Sequence, residues 1–238
     1  MNDLSARPAL RRIGTGAAAL VSVLSIVGSQ VDPAGASPAA SRAEAAKLLL
    51  TLHDMPKGWT TEKGTGGSSS SSFPGASQLA SCIGVPTSLV NSNPPEADSP
   101  YYENKSQSLE VQDTVSVFPS AKAAAADFGA LANTKTPGCM TTLMNGTFKA
   151  QILASAGKGA TVGTISVTKA HLTGFPGGGV GIVMALPITD QGVSINATLT
   201  AVYYRKGNLG QQIDFNSYGP AFPVSLAKSL TSTALHRL

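Results

Sequence analysis

The chain has 238 residues and a formal net charge of +4. Charged residues make up 13 % of it, about half the roughly 25 % usual in soluble domains. Its basic residues neither cluster nor interleave with aromatics, which argues against a nucleic-acid partner.

Arg7, Arg11 and Arg12 form a basic front, and Ile13 to Val27 follow as an apolar run. Val31-Asp32-Pro33 breaks the run, and Ala34-Gly35-Ala36 supplies a small-x-small cleavage site. A run of about 15 residues is shorter than the roughly 20 that a membrane-spanning helix needs. Residues 1–36 therefore read as a cleaved signal peptide, with an uncleaved signal anchor as the alternative. No Cys precedes Cys82, so lipid acylation at the cleavage site is not expected. Ile13-Gly14-Thr15 after Arg11-Arg12 matches a twin-arginine signal poorly, and the route of export stays open. The expected destination is secreted or extracytoplasmic, at the cell envelope, with no transmembrane segment in the mature chain. Residues 37–238 suffice for one domain with its own core. Their net charge is near +3.

Ser41-Arg42-Ala43-Glu44 is a capping box. It predicts a helix to His53 with Ala45, Leu48, Leu49 and Leu52 on one face. Pro56 and Gly58 stop it, and Trp59, the only tryptophan, follows. Trp59 reads either as part of a packed turn or as a stacking platform for a ligand. Residues 64–72 (GTGGSSSSS) read as a flexible Gly/Ser loop. A short helix carries Leu79, Cys82 and Ile83, and Pro94 to Pro100 is expected as loop. Two cysteines in an exported chain most simply pair with each other. Cys82–Cys139 would close a loop of roughly 58 residues, worth about 4 kcal/mol on a chain-entropy account. Two buried free thiols are the alternative.

Val111 to Phe118 alternates as a strand. Ser120 caps a helix to Leu131 with Ala124, Phe128 and Leu131 on one stripe. Thr136-Pro137 opens another helix, Asn145-Gly146 is expected to end it, and Phe148 to Ala154 read as a further helical turn. The period then changes to two. Thr161 to Lys169, Val180 to Ile188, Val193 to Tyr204 and Leu209 to Ser217 read as strands. Asp190-Gln191-Gly192 and Lys206-Gly207-Asn208 are short enough for hairpins. A helix from Ala221 to Leu238 closes the chain, with Pro223 in its first turn. Helices before and after a run of antiparallel strands make an α+β layered domain.

Each strand divides into an apolar and a polar side. Val193, Ile195, Ala197, Leu199, Ala201 and Tyr203 oppose Ser194, Asn196, Thr198 and Thr200. Ile165 and Val167 oppose Thr164 and Ser166, and Ile213 and Phe215 oppose Gln212, Asp214 and Asn216. Val111, Val115 and Val117 oppose Gln112, Thr114 and Ser116. The expectation is one apolar face under the helices and one shelf of hydroxyls and amides. That shelf, with Thr164, Ser166, Ser194, Asn196, Thr198, Gln212 and Asn216, is the best candidate for ligand binding, and Trp59 is a further one. Its plain alternative is a solvated sheet face, rich in Thr because Thr suits strands.

Other chemistry finds little footing. His53, His171 and His236 come without a G-x-S-x-G elbow. Neither a metal site nor a cofactor is expected, for want of ligand spacing. Gly177 to Gly181 precedes a strand rather than a helix, so a phosphate cradle is not expected. Glu103, Glu110, Asp113, Asp127 and Asp214 are spread over separate elements. Asp113 falls on the apolar side of its strand. It is expected to be exposed near the strand end, with a buried, partnered acid as the alternative.

Asp54-Met55-Pro56-Lys57-Gly58-Trp59 resembles the D-L-P-x-G-W opening of many exported actinobacterial proteins of unknown role. Ser116-Val117-Phe118-Pro119-Ser120-Ala121-Lys122-Ala123, continuing to Phe128 and Cys139, resembles their strand–V-F-P-S-A–helix–Cys segment. The pattern is similar to the extracytoplasmic sensor domains of PknH-type Ser/Thr kinases and to small mycobacterial envelope proteins with a PsbP-like fold. It covers most of residues 44–238. The resemblance implies a twisted antiparallel sheet of about five to six strands, a PsbP-like layered sandwich with flanking helices. It also implies a cleft for an unknown ligand. Those sensors carry two disulfides, and this chain has cysteines for one, so a signalling role does not carry over. No catalytic residues transfer.

The expectation is a secreted, non-enzymatic binding module for an envelope lipid, a glycan or another small molecule. An envelope-associated protein-interaction module is the first alternative. A hydrolase with an unrecognised site is the second.

Overall fold

The computed structural model describes residues 38–62, 75–91, 93–156, 159–190 and 192–238. The expected signal peptide and the Gly/Ser loop lie outside the described residues.

Helix α1 (Pro38–Ala46) begins ahead of the Ser41 capping box and stops well short of His53. The sheet takes the backbone away from it. The Leu50 N–H donates to the Asp113 carboxylate at 2.8 Å, and the Tyr102 hydroxyl donates to the Leu50 carbonyl at 2.7 Å. A 3-10 turn, Leu52–Asp54, follows, with the Thr51 N–H and hydroxyl both donating to Asp54. Then come β1 (Thr60–Glu62), α2 (Ala76–Ile83) and the single turn α3 (Thr87–Val90). The segment expected as loop holds β2 (Glu96–Asp98), and β3 (Tyr101–Asn104) leads to β4 (Leu109–Val117).

Helix α4 (Ala121–Ala132) starts as expected, the Ser120 Oγ accepting from the Ala123 N–H at 3.1 Å. Helix α5 (Thr136–Leu143) does not end at Asn145-Gly146. It runs through a π turn, Met144–Phe148, into α6 (Lys149–Ala156). Asn145 is instead used as a clasp. Its side chain donates to the Ile165 carbonyl at 2.7 Å and accepts from the Ile165 N–H at 2.9 Å. The strand expected over 161–169 is split into β5 (Thr161–Val162) and β6 (Ser166–Lys169). Opposite the break stands Pro187, which has no N–H to donate. The Gly163 N–H bonds to the Pro187 carbonyl instead, and a Cβ on Gly163 would meet the proline ring at 3.1 Å. Three long strands follow, β7 (Val180–Asp190), β8 (Val193–Lys206) and β9 (Leu209–Tyr218), and then α7 (Val224–Arg237), with Pro223 at its N-cap.

The described strands form one antiparallel sheet of nine, in the order β1-β3-β4-β9-β8-β7-β5, with β2 on β4 and β6 on β7. The class is α+β, as expected, but the strand count is higher than five to six. The unexpected strands β1, β2 and β3 are three or four residues long, too short for alternation to reveal, and the split of the strand expected over 161–169 adds one more.

The sheet does not have one apolar face. In the β7–β8 half the front is apolar. There Met184, Leu186, Ala197 and Leu199 pack against Leu79, Met140, Phe148 and Ile152 of the helices. In the β4–β9 half the back is apolar. There Val111, Ile213 and Phe215 pack with Leu50, Trp59 and α7's Leu230 and Ala234. The register causes the inversion: Leu199 stands beside Asn216, Ala201 beside Asp214 and Tyr203 beside Gln212. The single shelf expected from the sequence is therefore two polar surfaces on opposite faces.

Candidate functional site

The polar front of the β4–β9 half is built from alternate residues of both strands. Glu110 stands beside Asn216, Gln112 beside Asp214, and Thr114 beside Gln212. Gln112, Thr114, Ser116, Gln212, Asp214 and Asn216 are all buried, so these groups must find partners among themselves. The Gln212 amide donates to both Asp214 oxygens at 3.0 and 2.9 Å, and Thr114 donates to Asp98 at 2.7 Å. Tyr218 donates to Glu110 at 2.9 Å. Burial pushes Asp214 up to about 7 against the pull of the Gln212 bonds. Burial, helped by neighbouring Asp98, holds Glu96 at about 7.

Where this polar front meets α4, a cavity of about 30 Å³ opens. Ser116 and Gln212 form part of its floor, Tyr203 and Arg205 come from β8, and Asp127 and Phe128 come from α4. Gly210 keeps the rim clear for Phe118, whose ring lies 2.7 Å from where a Cβ would stand. Asp127 is 8 % exposed and Tyr203 5 %. Asp127 Oδ1 and the Tyr203 hydroxyl both lack a hydrogen-bond partner. Burial alone pushes Asp127 up to about 8. Burial, reinforced by Asp214 and Asp127, pushes the Tyr203 phenol well up. A buried polar group without a partner costs about 1–3 kcal/mol, so two around one cavity mark a place made for a complementary group.

The residues singled out in the sequence are distributed as follows. Thr164, Ser166, Ser194 and Asn196 are exposed and Thr198 half-buried on the back of the β6–β8 half. Ser166, Ala185 and Thr198 form one row across three strands, and the Ser194 and Thr189 hydroxyls are 3.0 Å apart. Gln212 and Asn216 are buried on the opposite face. Trp59 is in the back core, its ring centroid 6.4 Å from that of Phe222. Asp113 is fully buried, not exposed. It accepts from the Leu50 N–H and from the Gln211 amide at 3.0 and 3.1 Å. Cys82 and Cys139 are joined, tying α2 to α5. Asp127 and Tyr203 were missed as site residues. The signal for Asp127 was its place three residues after Ala124 and four before Leu131, on the buried stripe of α4.

Among the described residues no group of three His, Cys, Asp or Glu side chains is placed to hold a metal ion. No helix among them is long and apolar enough to cross a membrane.

No family model matches the chain, and neither does any curated protein. Among solved structures it is similar to the crystal structure of the extracellular domain of PknH from Mycobacterium tuberculosis. The identity is 11 % and the TM-score 0.37, over 85 % of this chain and 98 % of that one. No role is carried across on that likeness.

Proposed function

We propose that the chain is an exported, non-enzymatic module that binds a small polar molecule of the envelope, such as a lipid headgroup. The observation that carries this reading is the cavity under α4, where Asp127 Oδ1 and the Tyr203 hydroxyl are buried without partners. Clefts with a few convergent polar groups set in apolar walls are the usual form of small-molecule sites. Here the walls are Phe118, Phe128 and Leu131. A second reading, a protein-interaction module, draws on the exposed Ser166, Ser194 and Asn196 and the half-buried Thr198 on the back of the sheet.

Native mass spectrometry of the protein, purified without refolding from the medium of its own cells, tests both. A retained small mass that Ser116→Leu removes, by filling the cavity, supports the first reading. A retained mass or partner that Ser116→Leu leaves and Asn196→Arg removes assigns binding to the exposed face. A protein that only ever carries its own mass overturns the small-molecule reading.

A further inference from the structure

We propose that the cavity between α4 and the front of the sheet receives a primary ammonium group, with the Asp127 carboxylate as its counter-charge and the Tyr203 hydroxyl as a second acceptor. This deepens the binding reading above and rests on it.

Size is the first constraint. A water needs about 10–15 Å³ of volume of this kind, so about 30 Å³ holds about two water-sized groups. A sugar ring does not fit, whereas an ammonium, close to water in size, does.

The inventory of donors and acceptors is the second. An ionised Asp, the form the occupied site holds, only accepts, and a phenol both donates and accepts. Among the lining residues the partnerless atoms are Asp127 Oδ1, the Tyr203 oxygen and Gln211 Oε1, each able to accept, so the missing partner is a compact donor of several hydrogens. An ammonium presents three. The Gln212 amide cannot serve, because it already donates to both oxygens of Asp214.

Charge is the third constraint. The elements packed on α4 bring Tyr203 and Arg205 from β8 and Asp214 from β9. Arg205 is exposed, with its guanidinium carbon 5.9 Å from the centroid of the Phe128 ring. Burial is the one influence on Asp127, and no cation offsets it. A carboxyl held up at about 8 by burial alone is mostly protonated at pH 7, and an arriving ammonium drives its proton off to the solvent. Carboxylic acid and ammonium thus become a carboxylate–ammonium pair plus one released proton. Affinity rises with pH up to about 8 and levels off above it.

Ethanolamine and ethylene glycol, titrated into the purified protein and followed by NMR, provide the test. They differ by an ammonium in place of one hydroxyl. Ethanolamine is expected to shift the Asp127 and Tyr203 signals with a dissociation constant on the order of millimolar, weaker than the limit of roughly tens of micromolar for so small a ligand. Its affinity should rise close to tenfold from pH 6 to pH 7. Asp127→Asn should weaken it by about tenfold or more, and Tyr203→Phe by a few-fold. The pH series on the unaltered protein stands even if a variant fails to fold. Glycol binding as well as ethanolamine, or an ethanolamine affinity indifferent to pH and to Asp127→Asn, overturns the ammonium assignment and leaves the cavity reading standing. If neither probe moves the cavity signals, the assignment is overturned. If native mass spectrometry also finds no retained mass, the binding reading falls with it.

Discussion

Asp113, Asp127 and Asp214 are each less than a tenth exposed, and burial pushes their carboxyls up to about 7, 8 and 7. In the unfolded chain an Asp titrates near 3.9. The folded state therefore keeps these protons to higher pH than the unfolded state does. The stability they confer is fully present below about pH 4 and is lost as pH rises towards 7 and 8. Asp54 works the other way. Burial raises its carboxyl, but the Thr51 N–H and Arg237 outweigh that and hold it low. Its share of stability is present above the unfolded value and is lost as the solution becomes more acid. Together they predict a melting temperature that is highest near pH 4–5 and falls as pH rises to 8. One group held one unit high costs about 1.4 kcal/mol, or about 2–4 °C for a chain of this size. A melting temperature that climbs from pH 5 to pH 8 would contradict the assignment of all three. Asp127→Asn keeps the shape and removes the titration. It should melt close to the unaltered protein at pH 4 and above it at pH 8.

The α5–α6 arm is tied to the sheet by side chains in place of strand pairing. Asn145 exchanges two hydrogen bonds with Ile165, and the Thr141 hydroxyl accepts from the Val167 N–H at 3.0 Å. Asn145→Ala strands a buried backbone pair, and about 1–3 kcal/mol of stability should go with it. Urea denaturation measures the loss, and a midpoint unmoved by the change would show that water replaces the clasp at no cost. On the other side of α5, the Cys82–Cys139 bond ties it to α2. Replacing both cysteines by Ser should cost about 2–4 kcal/mol. An unchanged midpoint would mean that packing of α2 on α5 alone already holds the pair together. The long strands and the Ser120 cap were legible because each has a local physical cause that acts within a few residues, and the cysteine pair, 57 positions apart, because two cysteines leave a single intramolecular pairing. The Asn145-Gly146 stop was misread because that cause is tertiary: the amide is claimed by Ile165, far along the chain. The face inversion was half legible. In β8 the odd-numbered residues are the apolar ones, and in β9 they are too. Their turn is two residues, Gly207-Asn208, so Lys206 pairs with Leu209 and an even position stands beside an odd one. The apolar sides must then fall on opposite faces. Alternation within a strand fixes its own two sides, and only the turn says which side the next strand shares. The Asp127–Tyr203 cavity lies at that inversion, and it disappeared from view with it.

A sheet that buries its front at one end and its back at the other has two cores with no contiguous apolar volume between them. Strand β8 passes through both: Leu199 and Ala201 belong to the front core, and Val202 and Tyr204 to the back. Strand β9 pairs with β8 from Ala197 to Lys206 and with β4 over nine positions. Neither core can open without tearing ladder bonds that the other core holds in place. The two halves should therefore unfold as one cooperative unit, despite burying opposite faces. Trp59 is the only tryptophan and sits in the back core, so its fluorescence reports that core alone, whereas far-UV circular dichroism reports the whole chain. Leu186 is 1 % exposed in the front core, and Leu186→Ala should cost about 2–5 kcal/mol. The expected result is that this distant truncation lowers the midpoint of the Trp59 transition as much as that of the dichroism, with the two curves coincident before and after. A Trp59 curve that stays in place while the dichroism splits would mean that the strands transmit nothing across the inversion. The cavity would then sit on a hinge between two independent halves, and a ligand bound there would stabilise one half and leave the other unchanged.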